Sequence, residues 1–163
     1  MDAAQTHLAR DLTHDSPIIG CRFDRAGKYV FFSAEDSRVW RWEWSTETKI
    51  PLVGHDSWSR GMAFDPMNQT LITGGYDGRL IWWPLAAEKP EPVRKVEAHS
   101  GWIRAVSISP DGQLVASVGN DRVVKLWTLA EGKLVRELRG HESHIYNVAF
   151  HPSGSALGCN ATL

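Results

Sequence analysis

The stretch 98–127, AHSGWIRAVSISPDGQLVASVGNDRVVKLW, sets a histidine, a serine, an aspartate and a tryptophan at fixed distances. His99 lies 18 residues before Ser117, 22 before Asp121 and 28 before Trp127. The spacing recurs upstream at His55, Thr73, Asp77 and Trp83, and again at His14, Asp36 and Trp42. A fourth start stands at His141. The four histidines are 41, 44 and 42 residues apart. Such a period, with histidine early and tryptophan late, marks a chain built from copies of one supersecondary unit.

Within each unit the local pattern is that of short strands and turns. Arg38-Val39-Trp40-Arg41-Trp42-Glu43-Trp44 alternates apolar and charged residues, as a half-buried strand does. Asp24-Arg25-Ala26-Gly27, Asp65-Pro66-Met67-Asn68, Pro110-Asp111-Gly112 and His151-Pro152-Ser153-Gly154 read as hairpin turns. Pro84 to Pro92 holds three prolines and reads as the longest irregular loop, which accounts for the 44-residue interval.

The unit resembles a WD repeat of the β-propeller family, and the resemblance extends from about Leu8 to about Cys159. It implies an all-β chain of WD-repeat propeller blades: three complete four-stranded blades, partial blades at both ends, and an incomplete ring. The boundaries it implies are an outer strand of a neighbouring blade over 1–13, blades over 14–54, 55–98 and 99–140, and a partial fourth over 141–163. Propellers close with about four to eight blades. The expectation is therefore a piece of a longer propeller, or a half-ring completed by further blades or by a second copy.

The resemblance also implies a hydrogen-bonded chain in each unit: His55, Thr73, Asp77 and Trp83 in the second, His99, Ser117, Asp121 and Trp127 in the third. Imidazole, hydroxyl, carboxylate and indole can satisfy one another, whereas each orphaned when buried would cost about 1–3 kcal/mol. The first unit departs from the pattern, with Phe32 at the Ser/Thr position and Ser33 one place late. The fourth has Cys159 there and Leu163 in place of the aspartate. The tryptophans precede Glu43, Pro84 and Thr128, so no unit has a literal Trp-Asp pair.

His, Ser and Asp together invite comparison with a hydrolytic triad. No G-x-S-x-G elbow is present, and the set recurs in two units, as scaffolding does. No catalytic residue is assigned and no enzyme is expected. His141, His144 and His151 are close in sequence, but His141 is taken by the repeat and the turn at Pro152 directs His151 to the opposite rim; no metal or cofactor is expected. Cys21 and Cys159 stand in different units, outside any CxxC cluster, and in strand-like context where a small buried thiol is expected.

The formal net charge is −1 with scattered charges, so neither a basic stripe for nucleic acid nor an acidic tail is indicated. The first residues lack the apolar run of a signal peptide, and no stretch approaches the roughly 18 apolar residues of a membrane span. The cytoplasm is the expected compartment. Function is expected on one rim, where the resemblance places Trp58, Arg60, Tyr76, Trp102, Arg104, Asn120, His144 and Tyr146. One reading makes these a partner-binding face, since such residue types dominate interface energetics. The other has the tryptophans packed between blades and the arginines solvated or paired with acids. The favoured function is a non-enzymatic protein–protein interaction scaffold that binds a protein or peptide. The alternatives are a propeller module appended to a catalytic domain elsewhere, and a propeller-based enzyme.

Overall fold

The computed structural model describes residues 7, 8, 10–67 and 69–161. Among these there are fourteen strands and no helix. The first sheet holds β1 (Ile18–Phe23), β2 (Tyr29–Ala34), β3 (Val39–Glu43) and β4 (Thr48–Leu52). The second holds β5 (Ser59–Phe64), β6 (Thr70–Gly75), β7 (Arg79–Pro84) and β8 (Arg94–Glu97). The third holds β9 (Ile103–Ile108), β10 (Leu114–Gly119), β11 (Val124–Thr128) and β12 (Leu134–Leu138). β13 (Ile145–Phe150) and β14 (Leu157–Ala161) form a two-stranded fourth. Every pairing is antiparallel between consecutive strands.

The second strand of each full sheet is buried almost end to end (YVFFSA, TLITGG, LVASVG), because sheets or chain lie over both of its faces. Such strands lose the polar alternation of a one-sided sheet. The sheets stack face to face in series. Phe31, Val39 and Leu52 of the first meet Met62, Leu71, Ile81 and Trp83 of the second. Ile72, Leu80 and Trp82 of the second meet Ile103, Val106, Val115 and Trp127 of the third. Ala116, Val118 and Val124 of the third meet Ile145 and Val148. Each large side chain buried this way contributes about 1.5–3 kcal/mol, so each sheet depends on its neighbour for a dry interior. These are propeller-type blades, and they do not close into a ring.

Arg41 ties the first two sheets at their periphery. Its buried guanidinium donates to the carbonyls of Leu85, Ala87 (2.9 Å) and Glu88, fixing the proline-rich loop before β8. The expected outer strand over 1–13 lies partly outside the described residues. Those described there, 7, 8 and 10–13, join no strand; Leu12 instead packs on Val30, Phe32 and Trp42. The expectation of buried thiols is overturned, since Cys21 and Cys159 are both exposed. Cys21 lies on the inner strand of the first sheet, where Phe23 is also 64% exposed, and Cys159 lies on the unpaired edge of the two-stranded sheet.

Candidate functional site

Two polar chains run through the second and third sheets. The His55 ring sits 2.9 Å from Asp77 Oδ2 through Nδ1 and 2.7 Å from Thr73 Oγ1 through Nε2; Trp83 Nε1 donates to the same hydroxyl at 2.8 Å. The third sheet repeats this with His99 2.8 Å from Asp121 Oδ2 and 2.8 Å from Ser117 Oγ, and Trp127 Nε1 2.8 Å from that hydroxyl. All groups are satisfied together when the ring proton is on Nδ1 and donates to the carboxylate. The hydroxyl then donates to Nε2 and accepts from the indole. Burial by itself would raise the Asp77 carboxyl. The His55 hydrogen bond, with the Arg79 and Asp56 backbone N–H groups, outweighs it and holds the carboxyl below its ordinary value. Asp121 is lowered against burial in the same way by His99, the Val123 N–H and Lys125.

The first sheet does not build this chain. His14 Nε2 stands 3.5 Å from Asp36 Oδ2 and makes no hydrogen bond among the described residues. The imidazole instead meets Phe32 and Trp40 edge-on, at 5.1 and 4.9 Å between centroids. Trp40, not Trp42, donates to Asp36, at 3.0 Å. In the fourth sheet His141 Nε2 lies 3.2 Å from Cys159 Sγ, so the thiol takes the hydroxyl's place.

One backbone position bears on the polar chain of the second sheet. A Cβ on Gly75 would stand 2.4 Å from both Asp77 Oδ1 and His55 Nδ1. A Cβ on Gly119, its equivalent, would stand 2.1 Å from the Trp102 carbonyl oxygen. The same position is Ala34 in the first sheet, which lacks the polar chain, and Ala161 in the fourth.

The inner strands share a second feature. Pairing with the next strand slips by one residue between Ser59 and Gly61, between Ile103 and Ala105, and between Ile145 and Asn147. Arg60, Arg104 and Tyr146 are thereby left out of the ladder. A bulge of this kind re-aims the extra side chain. All three line a cavity of about 810 Å³ that runs along β5, β9 and β13 and takes in Arg22 from β1.

At its rim lies a stack of rings. Tyr76 and Trp102 are parallel, 4.4 Å apart with 2° between their planes, and Trp58 leans on Tyr76 at 6.1 Å. The Arg104 guanidinium sits 4.9 Å from the Trp102 ring, 5.3 Å from Tyr76 and 5.0 Å from Tyr146. Arg104 Nε donates to Asn120 Oδ1 (2.9 Å) and Nη1 to the Tyr76 hydroxyl (3.1 Å). Trp58, Trp102 and Tyr146 remain 39%, 45% and 38% exposed, Trp102 packs on Tyr76 of the preceding sheet, and no acid pairs with Arg104 among the described residues. Of the eight rim residues expected from sequence, six form this cluster: Trp58, Tyr76, Trp102, Arg104, Asn120 and Tyr146. Arg60 lines the adjoining cavity, and His144 is exposed outside the stack.

The sequence profile described as WD domain, G-beta repeat matches residues 46–84, 90–128 and 132–162, about two thirds of the chain. The chain belongs to the WD40 repeat family. Each matched WD repeat begins on the outermost strand of one sheet (β4, β8 or β12) and continues through inner strands of the next, so sequence repeat and sheet are offset by one strand. The profile leaves out the inner three strands of the first sheet, where the polar chain is missing.

Among curated proteins, nuclear distribution protein nudF of Aspergillus niger is 25% identical over 88% of this WD-repeat chain, which spans 37% of that protein. Apoptotic protease-activating factor 1 of Rattus norvegicus is 26% identical, over 88% of this chain and 11% of its own length. Guanine nucleotide-binding protein subunit beta of Schizosaccharomyces pombe is 26% identical, over 80% and 43%. The chain thus spans less than half the length of these relatives.

Residues 22, 75 and 119 escaped the sequence reading. Gly75 and Gly119 carried a readable signal, since one repeat position holds glycine in the second and third units and alanine in the first and fourth. Arg22 carried none, because it stands three places beyond the position of Arg60 and Arg104 within the repeat.

Proposed function

We propose that this WD-repeat chain is a non-enzymatic platform for protein–protein interaction, with Trp58, Tyr76, Trp102, Arg104, Asn120 and Tyr146 forming the partner-binding face and Arg60 and His144 at its margin. The observation that carries this is the exposed stack contributed by three successive sheets and locked by one guanidinium. Pre-stacked rings and a fixed arginine lose little conformational freedom on binding, which suits them to act as interface anchors. The buried His, Ser/Thr, Asp and Trp sets act as struts: their hydroxyls and rings are spent on one another.

The partner is a protein or peptide, and the site of action is the cytoplasm. No described helix is long and apolar enough to cross a membrane, and both cysteines are free thiols, as in a reducing compartment. The working units are blades over 14–54, 55–98 and 99–140, followed by a partial blade that begins at 141. Further blades or a second copy complete the ring. Exposed Ile18, Cys21 and Phe23 support this, because Phe64 and Met62, the counterparts of Phe23 and Cys21, pack against a preceding sheet.

The test is affinity capture read by quantitative mass spectrometry, comparing the natural chain with Trp58→Ala/Trp102→Ala. The variant loses the retained proteins while its melting temperature falls by less than about 4 °C, as for surface rings. Unchanged retention, or a collapse of stability that accounts for the loss, overturns the reading.

A further inference from the structure

The cavity beneath the ring stack has an unusual charge balance. Its lining includes Arg22, Arg60 and Arg104 and no aspartate or glutamate. Arg22 and Arg60 are exposed and have no hydrogen-bond or ion-pair partner among the described residues. Arg104 is held by Asn120 and Tyr76 through Nε and Nη1, which leaves Nη2 without a partner among the described residues. Asp56, the acid nearest Arg60 in sequence, is already paired with Arg79, as is Glu97. The chain as a whole is at −1, so this is a local concentration of positive charge and not the reflection of a basic protein.

A guanidinium presents donors in a planar fork that matches a carboxylate. Arg104 is oriented in advance by three rings, so a carboxylate meeting it need not order it. Arg60, Arg104 and Tyr146 all line the cavity from equivalent bulge positions of β5, β9 and β13. The volume, about 810 Å³ spread along three strands, is far larger than a single carboxylate or phosphate needs and fits several residues of extended chain.

We infer that this groove binds an extended acidic segment of a partner protein, its carboxylates meeting Arg60 and Arg104, with Arg22 on the β1 side. The inference rests on the partner-binding reading above and adds the chemistry of the partner. Nucleic acid is the weaker fit. The lining holds no lysine to follow a phosphate backbone.

The test is fluorescence anisotropy of the full chain with labelled glutamate-rich peptides, the same peptides with glutamine for glutamate, and single-stranded oligothymidylate. The acidic peptides bind, and their affinity falls as salt rises toward a Debye length of about 8 Å. Glutamine replacement, Arg60→Glu or Arg22→Glu each weakens binding about tenfold or more. Both arginines are exposed, so the variants keep the natural melting curve, which is measured alongside. Equal binding of the glutamine peptides, indifference to both charge reversals, no binding of the acidic peptides, or tighter binding of oligothymidylate overturns the inference. If any of these occurs while Trp58→Ala/Trp102→Ala still loses its captured proteins, the acidic-segment assignment falls and the interaction platform stands.

Discussion

The second and first sheets each bury a histidine at the head of the unit, and they do so by different chemistry. In the second, His55 is one link between a carboxylate and a hydroxyl, and its ring sits 1% exposed with both nitrogens engaged. In the first, His14 is wedged between Phe32 and Trp40, and its Nε2 makes no hydrogen bond among the described residues. In the second sheet the polar solution rests on three things at once: a hydroxyl at the Phe32 position, an indole ten residues later, and no Cβ at the Ala34 position. The first sheet fails the first and third. It falls back on ring packing, which tolerates loose geometry but leaves orphaned polar atoms, of which the Ser33 hydroxyl is a second. The comparison teaches that the repeat's polar residues act as a set, because one member without the others is a buried cost.

The largest expected effect comes from converting one kind of sheet into the other. Gly75→Ala forces the Asp77 and His55 side chains apart and costs about 3 kcal/mol in urea unfolding, since a buried hydrogen-bonded pair is broken. Ala34→Gly, the reverse change in the first sheet, costs about 1 kcal/mol at most, the ordinary penalty of glycine in a strand. Equal costs at the two positions would erase the distinction.

Thr73→Val keeps the shape and removes only the hydroxyl. It leaves the Trp83 N–H and His55 Nε2 unpaired and costs about 2 kcal/mol, again by urea unfolding. A cost near zero would mean that the chain is ornamental.

Acid sharpens the contrast further. Asp77 and Asp121 have folded-state carboxyls below the ordinary value of 3.8. Their contribution is therefore complete above 3.8 and is lost as pH falls through the lower folded values. Stability of the natural chain declines through that acid range, and Asp77→Asn/Asp121→Asn, already weakened, shows a flatter decline. Parallel acid limbs in denaturant titrations at a series of pH values would contradict the assignment.

The smallest effect runs the other way. Ser33→Ala removes a buried hydroxyl that has no partner among the described residues, and it stabilises the chain by up to about 1 kcal/mol.

The sequence made the blades readable because burial and turn chemistry repeat with the period. His99, Ser117, Asp121 and Trp127 stand in the same phase as His55, Thr73, Asp77 and Trp83, and both sets close in space. The rim was readable for the same reason, since Trp58 and Trp102 share one position and Arg60 and Arg104 another. What was hidden depends on backbone detail. Nothing in the residue types of Arg60 or Tyr146 announces that they occupy bulge positions beside a groove. The choice of Trp40 over Trp42 in the first sheet follows from which indole can reach Asp36. The exposure of Cys21 follows from what lies, or does not lie, over β1, and the local strand pattern carries no record of that.

The account turns on the direction of the hydrogen-bond chain, and long-range ¹H–¹⁵N correlation of the imidazoles reads it directly. His55 and His99 should carry their proton on Nδ1, with a slowly exchanging resonance, and Thr73→Val should disturb His55 alone. Protons on Nε2 in these two rings, or spectra in which His14 is indistinguishable from them, would contradict it.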